Sequence, residues 1–144
     1  GLESVRSDWT DLAKQFQYKL LLKLFKGEKI EQFIAKFCSE LKDGNHDHLL
    51  IYKKSIRKPV EEYTKTTPPH IKAARKAGIK GVGKIEYIIT AKGPEIVKEK
   101  NTRIDYDHYI EKQIKPIADS LLIFFNQDFD DILKSTKQSS LADF

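Results

Sequence analysis

Basic side chains concentrate in the middle of the sequence, and their types and spacing give its clearest chemical signal. Between Lys53 and Lys84, ten lysines and arginines stand against only Glu61 and Glu62. Such a block is typical of a surface that neutralises a polyanion. The alternative is a solvated face that only keeps the chain soluble. The Arg, Thr, Tyr and His residues among the lysines favour contact with phosphate.

The charge of the flanking segments supports this interpretation. Residues 51–100 carry a net charge of +8, whereas residues 1–50 carry 0 and residues 101–144 carry −3. The net charge of +5 of the whole chain therefore comes from the middle segment alone.

Close carboxylate pairs occur at Asp105 and Asp107 and at Asp128 and Asp130. Paired carboxylates can hold the two magnesium ions of phosphoryl transfer. However, each pair stands where a helix is predicted to begin, and carboxylates favour helix N-termini. Helix capping is therefore the preferred interpretation of both pairs.

Other candidates for catalysis or metal binding are weaker. His46, Asp47 and His48 lack a nearby Cys or further His to complete a tetrahedral zinc site, so a solvated loop is predicted there. Cys38 falls on the apolar face of a helix and is predicted to be a buried, inert thiol. The Gly and Lys residues of 78–84 lack the spacing of a phosphate-binding loop. The sequence predicts no catalytic residue and no metal ligand.

The elements that must position the basic block follow from the apolar spacing. Apolar residues recur every three or four positions from Trp9 to Leu24 and from Ile30 to Leu41, which predicts two helices that end near Gly27 and Gly44. A strand or extended segment is predicted at 49–56.

Proline, glycine and threonine residues then frame a short helix. Thr67 is predicted to cap it, Pro69 to occupy its first turn and Gly78 to close it. Two strands, at 84–90 and 95–97, are expected to form a hairpin.

The last part of the chain is predicted to be helical. A long helix begins at Asp105 or Asp107 and is bent by Pro116; its buried face is predicted to contain Ile110, Ile114, Ile117, Leu121 and Phe125. A short helix at 129–133 then precedes a polar tail. The predicted fold is mainly α with a small β component, an α+β domain containing a short antiparallel hairpin.

Length and composition limit the class of protein. A chain of 144 residues suits one domain, and its single cysteine cannot form an internal disulfide. The longest apolar run is far too short to span a membrane, and no signal segment opens the chain. We therefore expect a cytoplasmic protein without a membrane partner.

Three stretches carry a resemblance to a known family. They are residues 1–9 (GLESVRSDW), residues 63–75 (YTKTTPPHIKAAR) and residues 105–110 (DYDHYI), the last followed by QIKP at 113–116. In this order they resemble the C-terminal end of bacterial family B DNA polymerases. The resemblance implies a helical thumb subdomain, with a palm-to-thumb junction at 1–10, the thumb at 11–134 and a flexible tail at 135–144.

The resemblance also implies a function. A thumb grips the primer–template duplex, while the palm, whose catalytic aspartates would lie upstream of Gly1, adds the nucleotide. The chain would then be a non-catalytic fragment of a DNA-directed DNA polymerase, with no cofactor of its own and with magnesium in the full-length enzyme. The alternatives are a free-standing basic nucleic-acid-binding regulatory domain and a helical adaptor.

The predicted duplex-binding residues combine charge with hydroxyl and imidazole groups. Lysine and arginine bind phosphate without reading sequence, and threonine hydroxyls and N–H groups at a helix start add hydrogen bonds. The predicted set is Lys53, Lys54, Arg57, Lys58, Lys65, Thr66, Thr67, His70, Lys72 and Arg75.

The C-terminal residues suggest a second partner. Leu141 and Phe144 resemble the Leu and Phe of the short peptide by which bacterial polymerases bind the sliding clamp. Ser140 replaces the usual Gln, and Asp143 replaces an apolar residue. The alternative is an unanchored terminus.

Overall fold

A computed structural model of the chain describes residues 9–142, with side chains as far as residue 135. Its α-helices are α1 (Asp11–Phe25), α2 (Glu31–Lys42), α3 (Pro69–Lys76), α4 (Tyr106–Tyr109), α5 (Lys115–Leu122) and α6 (Phe129–Ala142). Its strands are β1 (Tyr52–Ile56), β2 (Gly83–Thr90) and β3 (Gly93–Ile96). This content confirms the predicted α+β class with helices in the majority.

The described chain divides into two compact units. The helical unit consists of residues 9–49 and 106–142, and the sheet unit consists of residues 50–105. The sequence did not predict this division, and the domain limits 1–10, 11–134 and 135–144 stay predictions. None of the helices within residues 9–142 combines the length and apolar character that crossing a bilayer requires.

An aromatic cluster lies in the core of the helical unit. The ring of Phe37 lies 5.0 Å from that of Phe16, 5.9 Å from that of Phe33 and 4.4 Å from the imidazole of His46. Phe16 and Phe37 are buried, so these rings join α1, α2 and the loop after α2 in one apolar core.

Helix ends follow the glycines as predicted. Gly27, Gly44 and Gly78 each follow the end of a helix with a positive φ angle, the conformation that a side chain disfavours. At the end of α3, Gly78 N–H donates to the Arg75 carbonyl and Ile79 N–H to the Ala74 carbonyl. This Schellman pattern satisfies two carbonyls that the helix leaves open.

The predicted long helix contains a wider turn. A π-helical turn, Ile110–Ile114, lies between α4 and α5 and ends shortly before Pro116. Because proline has no N–H, the regular hydrogen bond to Lys112 cannot form, and the π turn accommodates this loss where a bend was expected.

The buried face of this helical run is confirmed except at its end. Ile110, Ile114, Ile117 and Leu121 are buried, whereas Phe125 is 55% exposed and the prediction for it is wrong. Residues 123–125 form a 3₁₀ helix. The tighter turn changes the angle between successive side chains, so Phe125 leaves the buried face.

The last helix is longer than predicted. α6 continues to Ala142, whereas a short helix at 129–133 and a polar tail were expected. The segment contains neither glycine nor proline, and its serines and lysines do not end a helix on their own. Its start is held by two carboxylates: Asp119 accepts from Phe129 N–H at 2.9 Å, and Asp128 accepts from Asp131 N–H at 2.8 Å.

The sheet unit contains one antiparallel sheet in the order β1-β2-β3. The predicted hairpin corresponds to β2 and β3, and β1 adds a strand to it. Tyr52 lies opposite Tyr87, and their rings stack at 5.0 Å. α3 packs mainly against β3 and also contacts β2 and β1. Its residues Ile71, Ala73 and Ala74 are buried.

A buried amide ties the start of α1 to the π-helical turn. The Gln113 Oε1 atom accepts hydrogen bonds from the Thr10 backbone N–H at 3.1 Å and from the Thr10 hydroxyl at 3.2 Å. Both residues are buried. The amide therefore satisfies a donor that the first turn of α1 would otherwise leave open.

We expect Gln113→Leu to lower the free energy of unfolding by about 1–3 kcal/mol, because the Thr10 donors stay buried without an acceptor. Urea denaturation measures the change. Gln32→Leu, the same change on the exposed face of α2, is the control and should have little effect. Equal stability of the two variants would contradict the importance of the Gln113 acceptor.

Candidate nucleic-acid interface

The first turn of α3 offers a ligand fewer backbone N–H donors than its sequence suggested. Pro69 opens the helix as predicted, but the N-cap residue is Pro68, so the prediction that Thr67 caps the helix is wrong. Ile71 N–H and Lys72 N–H both donate to the Pro68 carbonyl. Since neither proline has an N–H, His70 carries the one backbone donor of this turn that has no partner within the described chain.

The guanidinium of Arg75 binds the hydroxyl of Thr67, which lies one residue before the N-cap. Its Nη1 atom donates to the Thr67 hydroxyl at 3.2 Å, and its Nη2 atom donates to the Tyr63 carbonyl at 2.7 Å and to the Val60 carbonyl at 3.3 Å. Arg75 thus connects α3 to the segment that precedes it. A DNA contact by Arg75 stays a prediction.

Three of the predicted residues, Lys54, Lys58 and His70, form a cluster with Tyr63. The Lys58 ammonium lies 4.7 Å from the centre of the Tyr63 ring, within the range of a cation–π interaction. The imidazole of His70 meets the same ring edge-on at 6.4 Å. Burial and the nearby charge of Lys54 lower the pKa of His70, so its neutral form is favoured.

Further predicted residues near these positions in the sequence are exposed. Arg57, Lys65, Thr66 and Lys72 are exposed, and no hydrogen bond or ion pair occupies their side chains within residues 9–135. Their donors are therefore available to a ligand. They include guanidinium, ammonium and hydroxyl groups, all of which bind phosphate oxygens.

The sheet register separates Lys53 from its neighbour Lys54. Lys54 shares a face of β1 with the buried Tyr52 and Ile56, so Lys53 points to the opposite, exposed face. There Lys53 lies across from Glu86 on β2, a pairing of opposite charges. The structure thus groups Lys54 with Lys58, Tyr63 and His70 but places Lys53 elsewhere.

A cavity that the sequence did not indicate lies in the sheet unit. It has a volume of about 440 Å³, and its lining includes Lys76, Lys92 and Glu95 but none of the predicted duplex-binding residues. Glu95 is buried and accepts from the Thr90 hydroxyl at 2.5 Å and from Asn101 N–H at 3.3 Å. The Thr90 hydrogen bond is the main cause that lowers the pKa of Glu95.

The hydrogen bonds of Glu95 explain its burial without a ligand. Its carboxylate oxygens accept from Thr90 on one side and from Asn101 on the other, so the side chain fastens the β2–β3 hairpin to the segment that follows. No spacing signal in the sequence points to this role, since Glu95 meets Thr90 across the hairpin turn and Asn101 only after the chain has left β3.

Most aspartates of the two close carboxylate pairs contact other groups of the chain. Asp128 caps α6 as predicted, and Asp130 accepts from the Lys115 ammonium at 3.0 Å. Asp105 directly precedes α4, and Asp107 lies 3.9 Å from Lys42. The described residues contain no group of three His, Cys, Asp or Glu side chains that fits a metal ion.

Two other sequence candidates are structural. Burial raises the pKa of the Cys38 thiol to about 12, which agrees with an inert thiol. The prediction of a solvated loop at residues 46–48 is wrong for His46, which stacks on Phe37, and for Asp47, which accepts from the Tyr106 hydroxyl at 2.8 Å, whereas His48 is exposed. The side chain of Leu141 and the whole of Phe144 lie outside the described residues.

Comparison with known proteins gives a consistent family. The model of the family described as DNA polymerase family B matches residues 1–123. The chain is 36% identical over 140 residues to DNA polymerase II of Escherichia coli K12, an alignment that covers 90% of this chain and 18% of that protein. It is 30% identical over 160 residues to DNA polymerase 2 of Aeropyrum pernix, with 100% of this chain and 20% of that protein covered.

A solved structure has a similar fold. The structure of the family B DNA polymerase from Pyrobaculum calidifontis matches with a TM-score of 0.62 and 24% sequence identity, over 76% of this chain and 17% of that one. This likeness shows the fold. The chain spans about a fifth of the length of the relatives it matches.

The imidazole of His46 should make the stability of the helical unit sensitive to acid. Its Nε2 atom is buried without a hydrogen-bond partner, and burial lowers its pKa despite Glu40 at 3.8 Å. Because the folded pKa lies below the unfolded value of about 6.5, the unfolded chain binds more protons, and stability falls as the pH drops below 6.5. We expect His46→Phe to reduce this loss in denaturation measured across pH.

His48→Phe is the matched control, because His48 is exposed in the same loop. It should leave the acid-induced loss of stability close to that of the wild type. The same pH dependence in both variants would exclude His46 as its source.

Proposed function

The chain belongs to DNA polymerase family B, and from this premise we propose that it forms the thumb of such a polymerase and grips the primer–template duplex. The observation that carries the proposal is the cluster of Lys54, Lys58, Tyr63 and His70, together with the exposed Lys65 and Lys72, which follow Tyr63 and His70 by two residues in the sequence. Family membership favours this function over a free-standing regulatory domain.

The charge of the sheet unit supports contact with the duplex backbone. Lysines and arginines that neutralise phosphates release condensed counterions, and this gain does not depend on base sequence. A polymerase must bind every sequence that it copies, so base-edge contacts are not required of its grip. The free ammonium groups of Lys65 and Lys72 suit this role.

Neutral donors supplement the charges. The backbone N–H of His70 and the hydroxyl of Thr66 lie in the same short stretch of chain as the two lysines. Because His70 favours its neutral form, we propose that it contributes hydrogen bonds rather than charge.

Catalysis belongs to the full-length enzyme in this proposal. The curated relatives are named DNA polymerases, and nucleotide addition requires magnesium held by carboxylates. In this chain Asp128 caps α6, and Asp107 and Asp130 lie beside lysines. We propose that the magnesium ions bind in the palm.

A sliding clamp is the second proposed partner. The proposal rests on the sequence at Leu141 and Phe144, since two apolar residues at this spacing can fill a pocket of a partner. A weak peptide suffices when both proteins are held on one DNA, because tethering raises their effective concentration into roughly the mM range.

We expect Lys65→Ala with Lys72→Ala to weaken binding to a primer–template duplex several-fold for every sequence alike. Log affinity should fall with log salt concentration, and the double variant should reduce the magnitude of that slope by about 2. Fluorescence anisotropy with two unrelated duplex sequences measures both quantities.

The control removes the same charge from the helical unit. Lys36→Ala with Lys112→Ala changes two exposed lysines and should leave affinity and slope near the wild-type values. If both double variants weaken binding equally, only net charge matters, and the proposed interface is wrong. A flat salt response of the wild type would exclude phosphate contact altogether.

Deletion of residues 141–144 should abolish binding to the purified sliding clamp and leave duplex affinity unchanged, because the proposed clamp contacts are Leu141 and Phe144. Surface plasmon resonance measures clamp binding. Ser139→Ala is the control and should bind normally. Equal clamp binding by the truncated chain would rule out docking through this end.

A further inference from the structure

We infer that Arg75 is a positioning residue, which holds the segment from Val60 to Thr67 in the conformation that binds phosphate and does not itself contact DNA. The inference rests on the proposed function of the same surface. It starts from the three hydrogen bonds of the guanidinium, which join α3 to two carbonyls and one hydroxyl of that segment.

Few other bonds hold the segment in place. Its described backbone hydrogen bonds are local turns among residues 59–64, together with one longer bond in which Val60 N–H donates to the Lys80 carbonyl at 2.9 Å. No strand or α-helix includes it. Arg75 therefore supplies the polar contacts from α3 to both Tyr63 and Thr67.

These contacts enclose the residues proposed to meet the duplex. Lys65 and Thr66 lie between Tyr63 and Thr67, both of which accept from Arg75. The fixed Tyr63 also places its ring between Lys58 and His70. A segment that is ordered before binding loses less conformational entropy when a ligand arrives.

Only arginine suits this arrangement. Its guanidinium is a planar fork with five N–H donors, so one side chain can donate to acceptors in three residues. The lysine ammonium keeps the charge but not the fork. Arg75→Lys therefore separates the two roles, since lysine still binds phosphate as a point charge.

The experiment compares the 144-residue chain with its Arg75→Lys variant. Hydrogen–deuterium exchange of residues 60–67 is measured in the free protein, and affinity for a primer–template duplex is measured over a range of salt concentrations. We expect exchange at Tyr63 and Thr64, whose N–H groups donate to the Val60 and Glu62 carbonyls, to rise about tenfold or more in the variant, as a local opening of this segment becomes easier. We expect affinity to fall several-fold with the salt slope unchanged.

Lys72→Ala is the matched control on the same helix. It should lower the magnitude of the salt slope by about 1 and leave the exchange of residues 60–67 as in the wild type. Thr67→Val removes only the Nη1 acceptor and should raise the exchange of Tyr63 and Thr64 by a smaller factor. It provides a milder test of the same contacts if Arg75→Lys loses its fold.

The outcomes separate the inference from the function on which it rests. The positioning role is overturned if Arg75→Lys keeps the wild-type affinity and exchange while Arg75→Ala reduces the magnitude of the salt slope by about 0.9. That result would assign Arg75 to a phosphate contact. Unchanged exchange in both Arg75→Lys and Thr67→Val would overturn it as well. If the wild type binds no duplex, the proposed function fails, and the inference fails with it.

Discussion

The positions of the cationic groups on the sheet unit depend on the packing of one side of α3 against the sheet. A helix of eight residues is too short to be stable alone in water, so its stability comes from packing. Ile71, Ala73 and Ala74 are buried, and the small alanines allow the helix backbone to approach its neighbours closely. Once this side is buried, the helix period turns Lys72, Arg75 and Lys76 outward. The positions of the cationic groups therefore follow from an apolar contact.

The same packing gives the outward-facing cations different tasks. Lys76 donates to the Lys92 carbonyl at 2.7 Å and so ties α3 to the hairpin turn. Arg75 ties α3 to the segment before it, and Lys72 has no partner within the described chain. Three neighbouring basic residues thus divide into two that hold the fold and one that is available to a ligand. Charge alone does not distinguish them, because the acceptors are backbone groups distant in sequence.

The helical unit shows how a polar group can be retained in an apolar core. The Gln113 amide satisfies the donors of Thr10, and the π-helical turn that precedes Pro116 contains this residue. His46 has no such compensation at Nε2 and is kept neutral by burial against Phe37. A satisfied amide stabilises the core at any pH, whereas the unsatisfied imidazole makes it sensitive to acid.

The sequence alone determined the family, the α+β class, most helix ends and the segment in which the basic residues concentrate. These properties are local: glycine after a helix, proline at a helix start and apolar periodicity act within a few residues of the chain. Tertiary structure decided that Thr67 accepts from Arg75 instead of capping α3, that Lys53 lies opposite Glu86 and that Phe125 is exposed. It also decided that Glu95 is buried among hydrogen-bond donors. Hydrogen-bond partners and strand register depend on which distant residues meet, so local pattern cannot assign them.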